Sequence, residues 1–237
     1  MSPYSRPFTG KLANGSLVSF KVDCKGLSLG VIQMVDVRVA PSPPAFEDYE
    51  QEVFDRIRSE MTLDGLKDDP VFRSFRELYW TFGMDPTKLR VSSEALLRRI
   101  LVGQNLWRVN SVVDVGNLAS VVHKLPIGLT DLSKIVGKLS VRTAKKGELF
   151  RRIGGEALEC RGREIVLADE EKIVCFGYAT HDSDITRVTD HSNEVLMLIY
   201  GSARTSEDEM NRASTTTLDM IERWLDCRVT GRRLFRS

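Results

Sequence analysis

Glu194-Val195-Leu196-Met197-Leu198-Ile199-Tyr200 sets six apolar or aromatic residues in succession behind a single acid. A strand with one solvated face alternates polar and apolar residues; this run has nothing to offer to water. It therefore reads as a central strand, buried on both faces. On its C-terminal side Ser206 and Glu209 stand three apart, the spacing of a capping box. Met210, Ala213, Thr217, Met220 and Trp224 follow as the core stripe of a helix. On its N-terminal side, Lys138 to Thr143, Glu164 to Ala168 and Lys172 to Phe176 read as short strands. Asp169-Glu170-Glu171 makes a tight turn between the last two.

The first forty residues are extended in character. Leu17 to Val22 and Val31 to Val39 are rich in β-branched and apolar residues, with Gly26 and Gly30 between them. Pro41-Ser42-Pro43-Pro44 ends strand pairing, because proline has no N–H for a ladder, and is the best linker candidate. Four helices are then predicted. Phe46, Tyr49, Val53, Ile57 and Met61 form the stripe of the first. The second runs from Pro70 to Phe82 and is stopped by Gly83-Met84-Asp85-Pro86. The third starts at Ser92, with Ser92 or Ser93 as cap and Glu94 at the positive end of the dipole, and runs to Gly103. The fourth carries Leu106 to Val122. Strands grouped together, then helices, then strands, without βαβα alternation, predict an α+β fold with a mixed or antiparallel sheet packed with helices. Residues 1–45 form the strand-bearing lead and 46–237 the main α+β domain, together one compact unit.

Composition narrows the class. The 237 residues suit one large or two small domains at about 150 residues each. Hydrophobic residues at 42% and charged residues at 28% are ordinary for a globular chain, and the length allows a core without metal or disulfide staples. Lys plus Arg is 34 against 33 acids, a net charge of +1. That balance excludes a polybasic nucleic-acid binder but not a local basic face. Such residues gather in the second half: Arg98-Arg99, Lys145-Lys146, Arg151-Arg152, Arg161, Arg163, Arg228, Arg232, Arg233 and Arg236. They form either a solvated surface or a face for RNA phosphates. No apolar run approaches the ~18 residues of a membrane span. Met1-Ser2-Pro3-Tyr4-Ser5-Arg6-Pro7 lacks the apolar core of a secretory signal. A soluble cytoplasmic protein is expected, with neither membrane nor DNA as partner.

Several chemistries fail on inspection. Gly137-Lys138 has neither the upstream glycine nor the following hydroxyl of a phosphate loop. No G-x-G-x-x-G, G-x-S-x-G or H-E-x-x-H occurs. Cys24, Cys160, Cys175 and Cys227 are dispersed, without zinc-type pairing, and read as free thiols. Thr180-His181-Asp182-Ser183-Asp184, with Asp190-His191 beyond, admits three readings: a divalent metal site, a polar loop, or a loop facing a substrate. No metal and no cofactor are expected.

Between Gly83 and Ile199 the ordered motifs resemble a known family. They are Asp85-Pro86-Thr87-Lys88-Leu89-Arg90-Val91-Ser92-Ser93-Glu94-Ala95-Leu96-Leu97-Arg98-Arg99, Val109 through Leu118, Leu125-Pro126-Ile127-Gly128-Leu129-Thr130-Asp131-Leu132, Gly137 through Arg142 with Gly147-Glu148, and Ser183 through Thr189. The chain resembles a free-standing relative of the B-three/B-four editing module of the phenylalanyl-tRNA synthetase beta subunit, over about half its length. That module hydrolyses tyrosine wrongly esterified to the phenylalanine tRNA. A pocket shaped for phenylalanine rejects an added hydroxyl only weakly, so a second site built to bond that hydroxyl is required. Ester hydrolysis needs a placed water and oxyanion donors, not necessarily a metal or protein nucleophile.

The resemblance implies a substrate-binding set of Gly116, Asn117, Pro126, Gly128 and Asp184. Asn117 falls where the family holds the aminoacyl end with asparagine, and Gly116 where many members have threonine. Asp184 falls where a glutamate bonds the tyrosyl hydroxyl. The family's Gln-Pro-x-His histidine aligns with Gly128, and His123 lies five positions away, so no catalytic residue is assigned. Taken alone, Asn117 reads as a helix-end cap, Gly128 as a turn residue with φ > 0, and His123 as a packed or capping histidine. Asp114 and Asp131 read as holders of backbone N–H groups, and Arg90 with Glu94 as a surface pair. The function so implied is binding of a tRNA or its aminoacylated 3′ end, with hydrolysis of mischarged aminoacyl-tRNA in trans. Its alternatives are a non-catalytic module for an amino acid, small ligand or RNA end, and an interaction protein that kept only the fold.

Overall fold

The computed structural model describes residues 18–21 and 25–237. The readings of Met1–Pro7, Leu17, Val22 and Cys24 lie outside the described residues. The strands and helices run in the order β1 (Val18–Phe20), β2 (Ser28–Arg38), α1 (Pro44–Glu60), α2 (Pro70–Thr81), α3 (Ser92–Leu101), α4 (Ser111–His123) and β3 (Ile127–Asp131). They continue with β4 (Leu139–Thr143), β5 (Lys146–Arg151), β6 (Ala157–Arg161), β7 (Ile165–Ala168), β8 (Ile173–Phe176), β9 (His181–Asp182), β10 (Val195–Gly201), α5 (Glu207–Trp224) and β11 (Asp226–Arg236).

The apolar run behind Glu194 is β10, and all of its residues are buried. It lies inside a four-stranded antiparallel sheet of order β11-β2-β10-β3, with Leu198 opposite Val31 on one side and Gly128 on the other. A second sheet has the order β1-β4-β7-β8-β9; only β1–β4 is parallel. β5 and β6 form a separate hairpin. The architecture is α+β. The helices meet the first sheet through α4 on β3 and through α5 on β2 and β10, while α3 packs on α4 and α1 on α3. Tyr178 joins the two sheets, its hydroxyl donating to the carbonyls of Ser28 (2.8 Å) and Gly201 (3.1 Å).

Local chemistry sets the helix starts. Asp69 caps α2 by accepting from Val71 N–H, with Pro70 in the first turn. Ser206 and Glu209 close a capping box on α5. Two starts differ from expectation. α4 begins at Ser111, not Leu106, because the Asn110 side chain accepts from Val113 N–H (3.0 Å) and fixes the boundary there. α3 has Val91 at its N-cap with no side-chain cap; Glu94 is instead drawn to Arg76 (2.8 Å) and Arg90 (3.4 Å). Strands β3, β5, β6, β9 and β11 were not expected. The basic tail is no loose segment: β11 pairs along β2 from Asp226↔Arg38 to Arg236↔Ser28.

Candidate functional site

α4 supplies one wall of a cleft of about 430 Å³. Asn110, Val113, Gly116 and Asn117 follow one another at helical spacing on the face turned toward β3. A Cβ at Gly116 would come within 3.2 Å of Leu129 Cδ1, so the glycine lets the helix lie close on the strand. Ile127 and Leu129, two apart in β3, share the face that floors the cleft. Val188, Thr189 and Asp182 close the far side, and Ile153, just beyond β5, stands at the mouth.

β3 is an edge strand, and an edge leaves N–H groups that need partners. Leu129 N–H donates to Asp182 Oδ2 (2.9 Å), and Asp131 N–H donates to the Thr186 carbonyl (2.8 Å). These two bonds pin the segment after β9 along the edge and so build the far wall. Ser192 fastens its end, accepting from Thr189 N–H (2.9 Å) and donating to Asp131 Oδ2 (2.7 Å).

Two carboxyls line the cleft, half-buried Asp182 and exposed Asp190, and Asp182 is the one the fold encloses. Its remaining exposure opens into the cleft, while the surrounding protein pushes its pKa up to about 7 against the pull of the Leu129 N–H and the Cys175 thiol. Its Oδ1 lies where a side chain at residue 128 would go: a Cβ there would sit 2.9 Å from that oxygen and 3.1 Å from Tyr200 Cε2. Behind α4, Arg108 reaches Glu50 (2.9 Å), Glu47 (3.7 Å) and Asp114 (3.8 Å). Burial still raises Glu50 to about 7, outweighing Arg108. Asp114 accepts from Val109 N–H (3.0 Å) and from the Ser42 hydroxyl (2.7 Å), which fixes the chain entering the site.

Of the residues picked from the sequence, Gly116 and Asn117 line the cleft. Gly128 stands between Ile127 and Leu129 in β3, with extended pairing to Leu198 and not the positive φ of a turn. Pro126 is buried just ahead of β3, its carbonyl accepting from Tyr200 N–H (3.0 Å). Asp184 is not among the lining residues; it pairs with Arg187 (3.3 Å) on the rim. Asp182, two positions earlier, lines the cleft and is half-buried, and Asp190 lines it from an exposed position. His123 sits at the other end of α4, beside a separate cavity of about 440 Å³. There Leu125 N–H donates to its Nδ1 (3.2 Å), Thr217 Oγ1 lies 3.3 Å from Nε2, and burial depresses its pKa to about 3. Among the described residues no group of three or more His, Cys, Asp or Glu is arranged to hold a metal ion.

The B3/4 domain family matches residues 74–227, a span from within α2 to the start of β11 that contains every residue lining the cleft. The chain belongs to the B3/4 domain family. Among curated proteins, this B3/4 domain is 36% identical over 78 residues to the phenylalanine–tRNA ligase beta subunit of Aquifex aeolicus, covering 31% of this chain and 10% of that protein. It is 31% identical over 87 residues to the same-named subunit of Fusobacterium nucleatum, covering 37% and 11%. The match thus spans about a tenth of those relatives. A solved N-terminal fragment of the phenylalanyl-tRNA synthetase beta subunit from Pyrococcus horikoshii aligns over 97% of this chain and 52% of its own, with 13% identity and a TM-score of 0.46. No helix among the described residues of the B3/4 chain is long and apolar enough to cross a membrane.

Proposed function

We propose that this chain binds the aminoacyl end of a charged tRNA in the cleft between α4 and β3 and hydrolyses the ester. The observation that carries the reading is the pairing of an amino-acid-sized hollow with a half-buried carboxyl, Asp182, in its lining. Val113, Ile127, Leu129 and Val188 give it apolar walls, and Asp182 and Asn117 bring polar groups into it. The printed names of the relatives, phenylalanine–tRNA ligase beta subunits, supply the class of ligand. A carboxyl that titrates near 7 suits a base that orients and deprotonates a water at neutral pH. Asn117 would hold the aminoacyl group.

Incubation with mis-tyrosylated phenylalanine tRNA tests this. Release is expected to exceed the buffer rate, to rise with pH through about 7, and to fall at least tenfold in Asp182→Asn. One observation favours binding without turnover: Oδ2 of Asp182 is taken by Leu129 N–H, and Oδ1 is packed against Gly128. Release at the buffer rate, with saturable binding of the same RNA, selects that second reading.

A further inference from the structure

α3 ends in a Schellman turn. Gly103 N–H donates to the Ile100 carbonyl (3.0 Å) and Gln104 N–H to the Arg99 carbonyl (3.1 Å), with Gly103 at φ 83°. The turn brings the following residues back over the last helical turn, where the Arg99 side chain ties them down. Its Nε donates to the Asn105 carbonyl (2.6 Å) and its Nη1 to Gln104 Oε1 (2.7 Å). Held this way, the guanidinium carbon lies 3.9 Å from the centroid of the Trp107 ring. One face of the indole is covered. Trp107 is nevertheless 59% exposed, so the opposite face is open to water. Trp80 is as exposed, at 62%, but among the described residues no cation lies over its ring.

Trp107 lies close to the cleft along the chain. Val109, which lines it, follows Trp107 by two residues, a reach of at most about 7 Å. Arg108, between them, is engaged by Glu47, Glu50 and Asp114, so Arg99 is the cation behind the indole. A flat ring backed by a fixed positive charge suits a nucleobase joined to a phosphodiester: the base stacks, and the charge complements the phosphate. The terminal base of a charged tRNA hangs from the same ribose that carries the ester. A seat for that base must therefore lie within a nucleotide's breadth of the amino-acid hollow, a reach that the two residues from Val109 to Trp107 do not exceed.

We propose that Trp107, backed by Arg99, is the stacking seat for the unpaired terminal nucleobase of the RNA strand whose aminoacyl group enters the cleft; this rests on the reading above. The test uses the full chain and two RNA hairpins with the stem of a tRNA acceptor arm, one with a single-stranded 3′ overhang and one blunt, titrated at fixed salt. Trp107→Ala is expected to weaken the overhang hairpin about 5- to 150-fold and to leave the blunt hairpin unchanged. Trp107→Phe should keep most of the affinity, and Trp80→Ala all of it. Trp107→Leu, which keeps an apolar side chain but not the π-face, should lose it and serves if the alanine variant unfolds. The slope of log affinity against log salt should persist in these variants, because stacking releases no counterions. Equal binding of the overhang hairpin by the wild type, Trp107→Ala and Trp107→Leu overturns the seat and leaves the proposed function standing. A wild type that does not prefer the overhang to the blunt end overturns the seat, and overturns the proposed function as well if mis-tyrosylated tRNA is neither bound nor hydrolysed above the buffer rate.

Discussion

Burial disfavours the charged form of Asp182. Its carboxyl is raised from 3.8 to about 7, so between those values the folded state holds a proton that the unfolded state has released. Stability therefore falls as pH rises through that window, and the loss is complete above about 7. Asp182→Asn keeps the bond from Leu129 N–H and removes the titration. Urea unfolding from pH 4 to 8 should show a weaker decline in the variant, and equal slopes would refute the assignment. Gly128 is bound to the same feature. A methyl group there meets Asp182 Oδ1 and Tyr200, so Gly128→Ala should cost about 1–3 kcal/mol and disturb the cleft; the unfolding midpoint measures the first and ligand affinity the second. Sequence reasoning reached Gly116, Asn117 and the chain around Asp182, but fixed on Asp184. In a continuing strand two acids two apart would share a face, but β9 ends at Asp182 and Asp184 lies past it, and a strand of two residues leaves no periodic trace from which that end could be read.

At the scale of elements, what could be read was what repeats or caps. α1, α2 and α5 show apolar stripes with a proline or capping box at the start, and each formed where predicted. The buried strands β7, β8 and β10 are unbroken apolar runs and were equally plain. β5, β6 and β11 are half-exposed and rich in charge, so their pairing is decided by distant partners and not by their own composition. α4 shows a helix boundary set by one side chain against an apolar run that could have continued it. Asn110→Ala removes the bond to Val113 N–H and should cost about 1 kcal/mol. Because Asn110 also lines the cleft, ligand affinity should fall with it. A loss of stability without any change in affinity would mean that the α4 start does not shape the site.

For the whole molecule, the long-range pairing of β2 decides the outcome. It takes β10 on one side and β11 on the other, with Ser28 opposite Gly201 and Arg236. Removing residues 226–237 strips one complete edge from an eleven-residue strand whose first eight positions are buried. The shortened protein is expected to be soluble only as aggregates, measurable by size-exclusion chromatography, and a monodisperse, folded product would show that β11 is dispensable. The same connectivity bears on biosynthesis. A nascent chain carries β2 out of the ribosome early, yet neither neighbour can join it until roughly 160 to 200 further residues have been made. Through that interval an apolar ribbon with two open edges has no native partner, the condition under which a strand pairs wrongly with other chains.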